Sequence, residues 1–70
     1  MKQGVHNHVK EQRKHRGFTQ DQLAEKIGVT RQTIIAIEKQ RYEPLIGTAI
    51  KLAAVLKCPV EKLFWIEGDN

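Results

Sequence analysis

Arg31, Gln32, Lys39, Arg41 and Tyr42 stand close together in the chain, and all of them can donate hydrogen bonds. An arginine guanidinium is a planar fork of N–H donors that engages two acceptors at once. A glutamine amide offers a donor and an acceptor in one plane. Lysine adds a point charge. Groups of this kind recognise a polar surface. Reactive chemistry is thin by comparison. His6, His8 and His15 could in principle ligate a metal, but no other ligand cluster accompanies them, so no metal site is expected. Cys58 lies beside Pro59, has no evident histidine–acid partner, and reads as a small core residue. The sequence has no phosphate-cradling glycine loop and no paired carboxylates on one helix face. Tyr42 and Trp65 are too few and too far apart for a base-stacking platform. No enzyme activity, cofactor or small-molecule effector is expected.

The elements that position these groups must come from 70 residues, which suffice for one domain, residues 1–70, with a core at about 7–64 and a tail at 65–70. A chain of this size buries only about 60 % of the surface its unfolded form exposes, so it must be compact or lean on a partner. Apolar residues at 40 % suit a folded globule. The single cysteine rules out an intrachain disulfide. No apolar run approaches the roughly 20 residues of a membrane helix, and the N-terminus lacks the apolar stretch of a signal peptide. The expectation is a cytoplasmic protein with no membrane contact. The net charge of +4 is uneven: Lys2, Lys10, Arg13, Lys14 and Arg16 are opposed by Glu11 alone within residues 1–20. Such an imbalance points to a polyanionic partner.

Punctuation divides the chain into five short helices. Asn7 is placed to cap a first helix from about His8 to Arg16, which Gly17 ends. Thr19 and Gln22 fit a capping box for a second helix reaching Ile27, and Gly28 follows at a turn. Thr30 can cap a third helix from Arg31 to about Lys39. Residues 40–44 form a loop, since Pro44 disfavours helical geometry at Glu43. A fourth helix spans about Ile46 to Leu56, with Ile46, Ala49, Ile50, Ala53 and Leu56 as its apolar stripe. Pro59 opens a short fifth helix through Phe64. No useful strand pattern is evident, although Trp65 and Ile66 could be extended.

The second helix buries Leu23, Ala24 and Ile27. The third has only Ile34 and Ile37 inside, while Gln32, Ile35, Ala36 and Lys39 face out, so this outer face meets water or something polar. Glu38 falls on the inner side of the third helix and Arg13 on the inner side of the first. Because an isolated buried charge is costly, the two are expected to form a structural ion pair.

Two eight-residue helices joined by Ile27-Gly28-Val29-Thr30 have the form of a helix-turn-helix. The run Arg13-x-x-x-Gly17-Phe18-Thr19-Gln20-x-x-Leu23-Ala24-x-Lys26-Ile27-Gly28-Val29-Thr30-Arg31-Gln32-Thr33-Ile34-x-x-Ile37-Glu38 resembles the phage Cro and repressor family, also called the XRE family. The resemblance covers residues 9–64 and extends to Pro44, Lys51-Leu52-Ala53 and Leu63-Phe64.

What it implies is an all-α, compact five-helix, lambda-repressor-like DNA-binding domain. Its third helix would lie in the DNA major groove, with the second crossing the backbone. Gln20 matches a position that bonds phosphate and braces the reading helix. Thr30, Arg31, Gln32 and Thr33 match positions that reach base edges or phosphate. Arginine can fork to guanine and glutamine to adenine. Ile35 and Ala36 could touch thymine methyls, and Lys39, Arg41 and Tyr42 could hold phosphates. The same family points to the Arg13–Glu38 pair. Departures from its pattern are Gln12 for leucine, Gln40 for a common glycine, Leu45 for a serine cap, Gly47 in a first turn and Lys57 for a small turn residue. The loop at Gln40 is expected to differ in shape.

The function expected is sequence-specific double-stranded DNA binding by a small transcriptional regulator. It would act as a repressor on an inverted-repeat operator, as a homodimer whose contact includes Phe64, Trp65 and Ile66. The alternative is an antitoxin-like module that binds a protein partner as well as DNA. Gln20, Arg31 and Gln32 together argue against a third class, an interaction domain that has lost DNA reading.

Overall fold

The computed structural model describes residues 4–66, so Lys2 and most of the expected tail, residues 67–70, lie outside the described residues. The elements in chain order are β1 (Val5–Asn7), α1 (Val9–His15), α2 (Gln20–Ile27), α3 (Arg31–Glu38), α4 (Ile46–Leu56), α5 (Val60–Leu63) and β2 (Phe64–Ile66). The helices surround one core in which Val9, Leu23, Ile34, Ile37, Leu52, Leu56 and Leu63 are fully buried.

Local hydrogen bonding sets most boundaries. Before α2, Thr19 Oγ1 accepts from the Gln22 amide at 3.0 Å and Gln22 Oε1 accepts from the Thr19 amide at 2.8 Å, which completes the capping box. Before α3, Thr30 Oγ1 accepts from the Thr33 amide at 3.3 Å. α1, α2, α3 and α4 all end in the same way. The Phe18, Val29, Arg41 and Cys58 amides each reach back five residues to a helix carbonyl. The residue before each of them, Gly17, Gly28, Gln40 or Lys57, is left-handed. These are Schellman turns.

Two of the four carry glycine, as the conformation favours, and two do not. Gln40 and Lys57 hold φ angles of 60° and 54°. The loop after α3 therefore keeps the turn a glycine would have made, contrary to the expectation of a different shape, because the backbone bonds enforce it. An L-residue in this region costs about 1–2 kcal/mol, and glycine recovers this less its own chain entropy of about 0.5–1 kcal/mol. Lys57→Gly is expected to stabilise the fold by about 0.5–1 kcal/mol, raising the melting temperature by about 2–8 °C. A thermal melt that fell instead would contradict this account.

The sheet corrects the all-α expectation. β1 and β2 pair antiparallel, with Val5 opposite Ile66, His6 opposite Trp65 and Asn7 opposite Phe64. Each strand is three residues long, too short for alternation to show. The fifth helix consequently stops at Leu63, and Phe64 begins β2. Asn7 is not the α1 cap residue. It ends β1, accepts from the Val9 amide at 3.0 Å through Oδ1, and donates to the Ile37 carbonyl at 2.9 Å through Nδ2. The strand is thereby tied to α3.

α4 is rotated from its expected setting. Ala49, Leu52 and Leu56 are buried, whereas Ile46 is 73 % and Ile50 54 % exposed. At the C-terminal end of this helix, Arg16 Nε donates to the Leu56 carbonyl at 3.1 Å, which ties the end of α1 to the end of α4.

Candidate nucleic-acid interface

Ile34 and Ile37 anchor α3 in the core. That leaves Arg31, Gln32, Ile35, Ala36 and Lys39 on the other side. At about 100° per residue they fill an arc of about 140°. Arg31, Gln32 and Lys39 are exposed, and Ile35 and Ala36 are half-buried between them. Cations, an amide and small apolar groups thus share one surface, a mixture suited to phosphates, base edges and methyl groups.

The one acidic residue of α3 is kept off this surface. The Glu38 side chain is 4 % exposed. Its Oε2 accepts from Arg13 Nε at 2.6 Å. Its Oε1 accepts from Gln20 Nε2 at 3.1 Å and from Arg13 Nη2 at 3.4 Å. Arg13 Nη1 donates onward to the Phe18 carbonyl at 2.9 Å. One carboxylate therefore gathers side chains from α1 and α2 onto α3. Burial makes the cluster costly to break, and its charges are matched in place. The consequence for the surface is an α3 held in a set orientation with no exposed negative charge.

The other sequence-selected residues fall into three groups. Gln20 sits half-buried at the first turn of α2, with one amide hydrogen committed to Glu38 and the rest of the group available. Thr30 and Thr33 face each other at the start of α3, with their hydroxyl oxygens 3.1 Å apart. Arg41 and Tyr42 follow α3 on an exposed loop, beyond the turn at Gln40. Phe64, Trp65 and Ile66 are not on the α3 face but on β2. There the Trp65 ring lies 5.8 Å from His6 in a stacked arrangement and 4.4 Å from His8 in a tilted one. Two of the three histidines that suggested metal chemistry, His6 and His8, are thus ring neighbours of a tryptophan. Cys58 packs against the core.

Sequence reasoning passed over Lys10 and Lys14 as site residues. Their signal was the basic N-terminal stretch, which the structure sorts out. Arg13 is buried against Glu38 and Arg16, though exposed, is tied to a helix end, whereas Lys10 and Lys14 are exposed with no side-chain partner among the described residues.

A helix-turn-helix family model matches residues 9–63. Over 91 % of its length the chain is 44 % identical to the HTH-type transcriptional regulator YgzD of Bacillus subtilis, and covers 97 % of that protein. It is 47 % identical over 89 % of its length to an HTH-type transcriptional regulator of Methanothermobacter thermautotrophicus, and covers 91 % of it. Among solved structures, the N-terminal DNA-binding domain of SinR from Bacillus subtilis superposes with a TM-score of 0.69 at 36 % identity. That match spans 74 % of this chain and 77 % of that one.

Proposed function

The chain belongs to the helix-turn-helix family of Cro- and repressor-like transcriptional regulators, and from that premise we propose that it binds double-stranded DNA sequence-specifically, as a homodimer on an inverted-repeat operator. In this reading α3 enters the major groove. Arg31 and Gln32 fork to base edges, and Ile35 and Ala36 meet thymine methyls. Gln20, Thr30, Thr33, Lys39, Arg41 and Tyr42 hold the backbone and set the register. Phe64, Trp65 and Ile66 contribute to the contact between the two chains. Bound there, the dimer acts as a repressor by occupying DNA that other proteins need. It works in the cytoplasm, where the DNA is, and among the described residues no helix is long and apolar enough to cross a membrane.

The observation that carries the reading is the acid-free outer face of α3, held from beneath by Ile34, Ile37 and the Glu38 cluster. Selection from a random duplex pool at near-physiological salt, where non-specific binding is weak, tests it. The expected result is a palindrome with half-sites about one helical turn apart. A single unpaired motif would remove the dimer, and no motif from folded protein would remove sequence-specific reading. A second reading is an antitoxin-like module that holds a protein partner as well as DNA. It draws support from Leu45, Ile46 and Ile50, which expose apolar surface on and beside α4.

A further inference from the structure

Asn7 and Ile37 lie 30 residues apart, yet Asn7 Nδ2 donates to the Ile37 carbonyl at 2.9 Å. That carbonyl belongs to the last turn of α3, where helix carbonyls lack partners within the helix. It also accepts from the Gln40 amide at 2.9 Å, which uses both its lone pairs. Asn7 Oδ1 accepts from the Val9 amide at the start of α1, at 3.0 Å. The Asn7 backbone belongs to β1, opposite Phe64 of β2, and the adjoining His8 amide donates to the Leu63 carbonyl at 3.0 Å. One half-buried residue therefore joins the sheet, the start of α1 and the end of α3. The Glu38 cluster ties α3 to α1 and α2 through a side chain. Asn7 ties it to the sheet through the helix backbone, just before Lys39 and Arg41.

We infer that Asn7 is a positioning residue for sequence reading. It holds the last turn of α3 against the sheet, so that the outer face of the helix meets DNA in one setting. The inference rests on the DNA-binding reading above, and adds to it a residue outside the helix-turn-helix that acts through α3 rather than by touching a base. Two features of the geometry carry it. The tie ends on a backbone carbonyl, so it constrains the helix itself and not a mobile side chain. It also needs a donor and an acceptor on two separate atoms of one short side chain, which asparagine supplies and ionised aspartate and serine do not. Binding groups act fully only when held to within about 0.5 Å, and a helix end free to fray does not keep that tolerance.

The test compares wild type with Asn7→Asp and Asn7→Ser at a temperature where all three are folded. Either replacement can still accept from the Val9 amide. The aspartate has no hydrogen to give the Ile37 carbonyl, and the serine hydroxyl stops one bond short of it. Hydrogen exchange of the free proteins reads the tie without DNA. The Gln40 and Arg41 amides, which bond to the Ile37 and Ala36 carbonyls, should exchange about 2–12-fold faster, as loss of one hydrogen bond implies. The equivalent amides after α2, those of Gly28 and Val29, should keep their wild-type rates. The ratio of affinities for a selected operator and an unrelated duplex should fall by a similar factor, since binding must restore the order that the tie supplied. Taking the ratio cancels the added charge of aspartate, which weakens both duplexes alike. If Asn7 served only to start α1, both variants would keep the wild-type ratio, and that result would overturn the positioning role while leaving the DNA reading standing. Unchanged exchange at Gln40 and Arg41 would overturn the tie itself. Absence of operator preference in wild type would remove the DNA reading, and the positioning role with it.

Discussion

Glu38→Ala is expected to destabilise the domain by about 3–5 kcal/mol. For a domain of this size that corresponds to roughly 12 °C or more in melting temperature. The variant strands the Arg13 guanidinium, whose side chain is 10 % exposed, with only the Phe18 carbonyl as partner. It also releases the amide of Gln20. Half of a buried pair costs more than none, because the remaining charge stays desolvated. The double variant Arg13→Met/Glu38→Leu removes both charges and fills the space, and should therefore melt much closer to wild type than either single change. Circular dichroism melts of the three proteins decide the matter. A Glu38→Ala protein melting within a degree or two of wild type would show that the pair contributes little. Since the cluster also orients α3, the double variant should be tested for operator binding. Folded protein with weakened binding would assign the pair a role in positioning the reading helix.

The second large effect falls on recognition rather than stability. Gln32 is exposed on α3 and its side chain makes no hydrogen bond with another described residue, so Gln32→Ala should change stability by no more than about 0.5 kcal/mol. If its amide grips a base, the loss should be about 1–3 kcal/mol, or about 5–150-fold in operator affinity. Repeating the duplex selection with the variant should relax the preference at one position in each half-site and leave the others unchanged. Affinity for unrelated DNA should stay at its wild-type value, since no phosphate contact is lost. An unaltered motif would mean that Gln32 is merely solvated and that Arg31 carries the reading alone. The two variants would separate two jobs of one helix, orientation through Glu38 and direct contact through Gln32.

Much of this architecture was legible before any coordinates, and the reason is locality. The start of α2 depends on Thr19 and Gln22, three residues apart, and the start of α3 on Thr30 and Thr33. Gly17 and Gly28 mark turns because only they accept the left-handed backbone without strain. Helical periodicity was enough to put Ile34 and Ile37 inside and Gln32 and Lys39 outside. The same period turned Glu38 inward, and the cost of an isolated buried charge then required a cation such as Arg13. These arguments span a few residues or concern one helix face at a time, so a single sequence contains what they need.

Other features depended on which surfaces meet. β1 and β2 join Val5 to Ile66, across nearly the whole described chain, and three-residue strands leave no periodic trace. Asn7 reaches the Ile37 carbonyl for the same reason of assembly, although its own neighbourhood suggested a helix cap. In α4, apolar residues occur on almost every side, so periodicity could not choose between faces. Leu52 went inward, and Ile46 and Ile50 stayed out, a rotation of roughly 60° from the expected stripe. The fate of the basic residues was settled in the same way. Composition counted Lys10, Arg13, Lys14 and Arg16 alike. Packing committed Arg13 to a carboxylate and Arg16 to a helix end, and left the two lysines facing an open groove. Sequence alone determined the helices, the caps of α2 and α3 and the face of α3 that stays outside. Tertiary structure decided which charges remained free and which apolar groups stayed exposed, because those outcomes depend on neighbours distant in the chain.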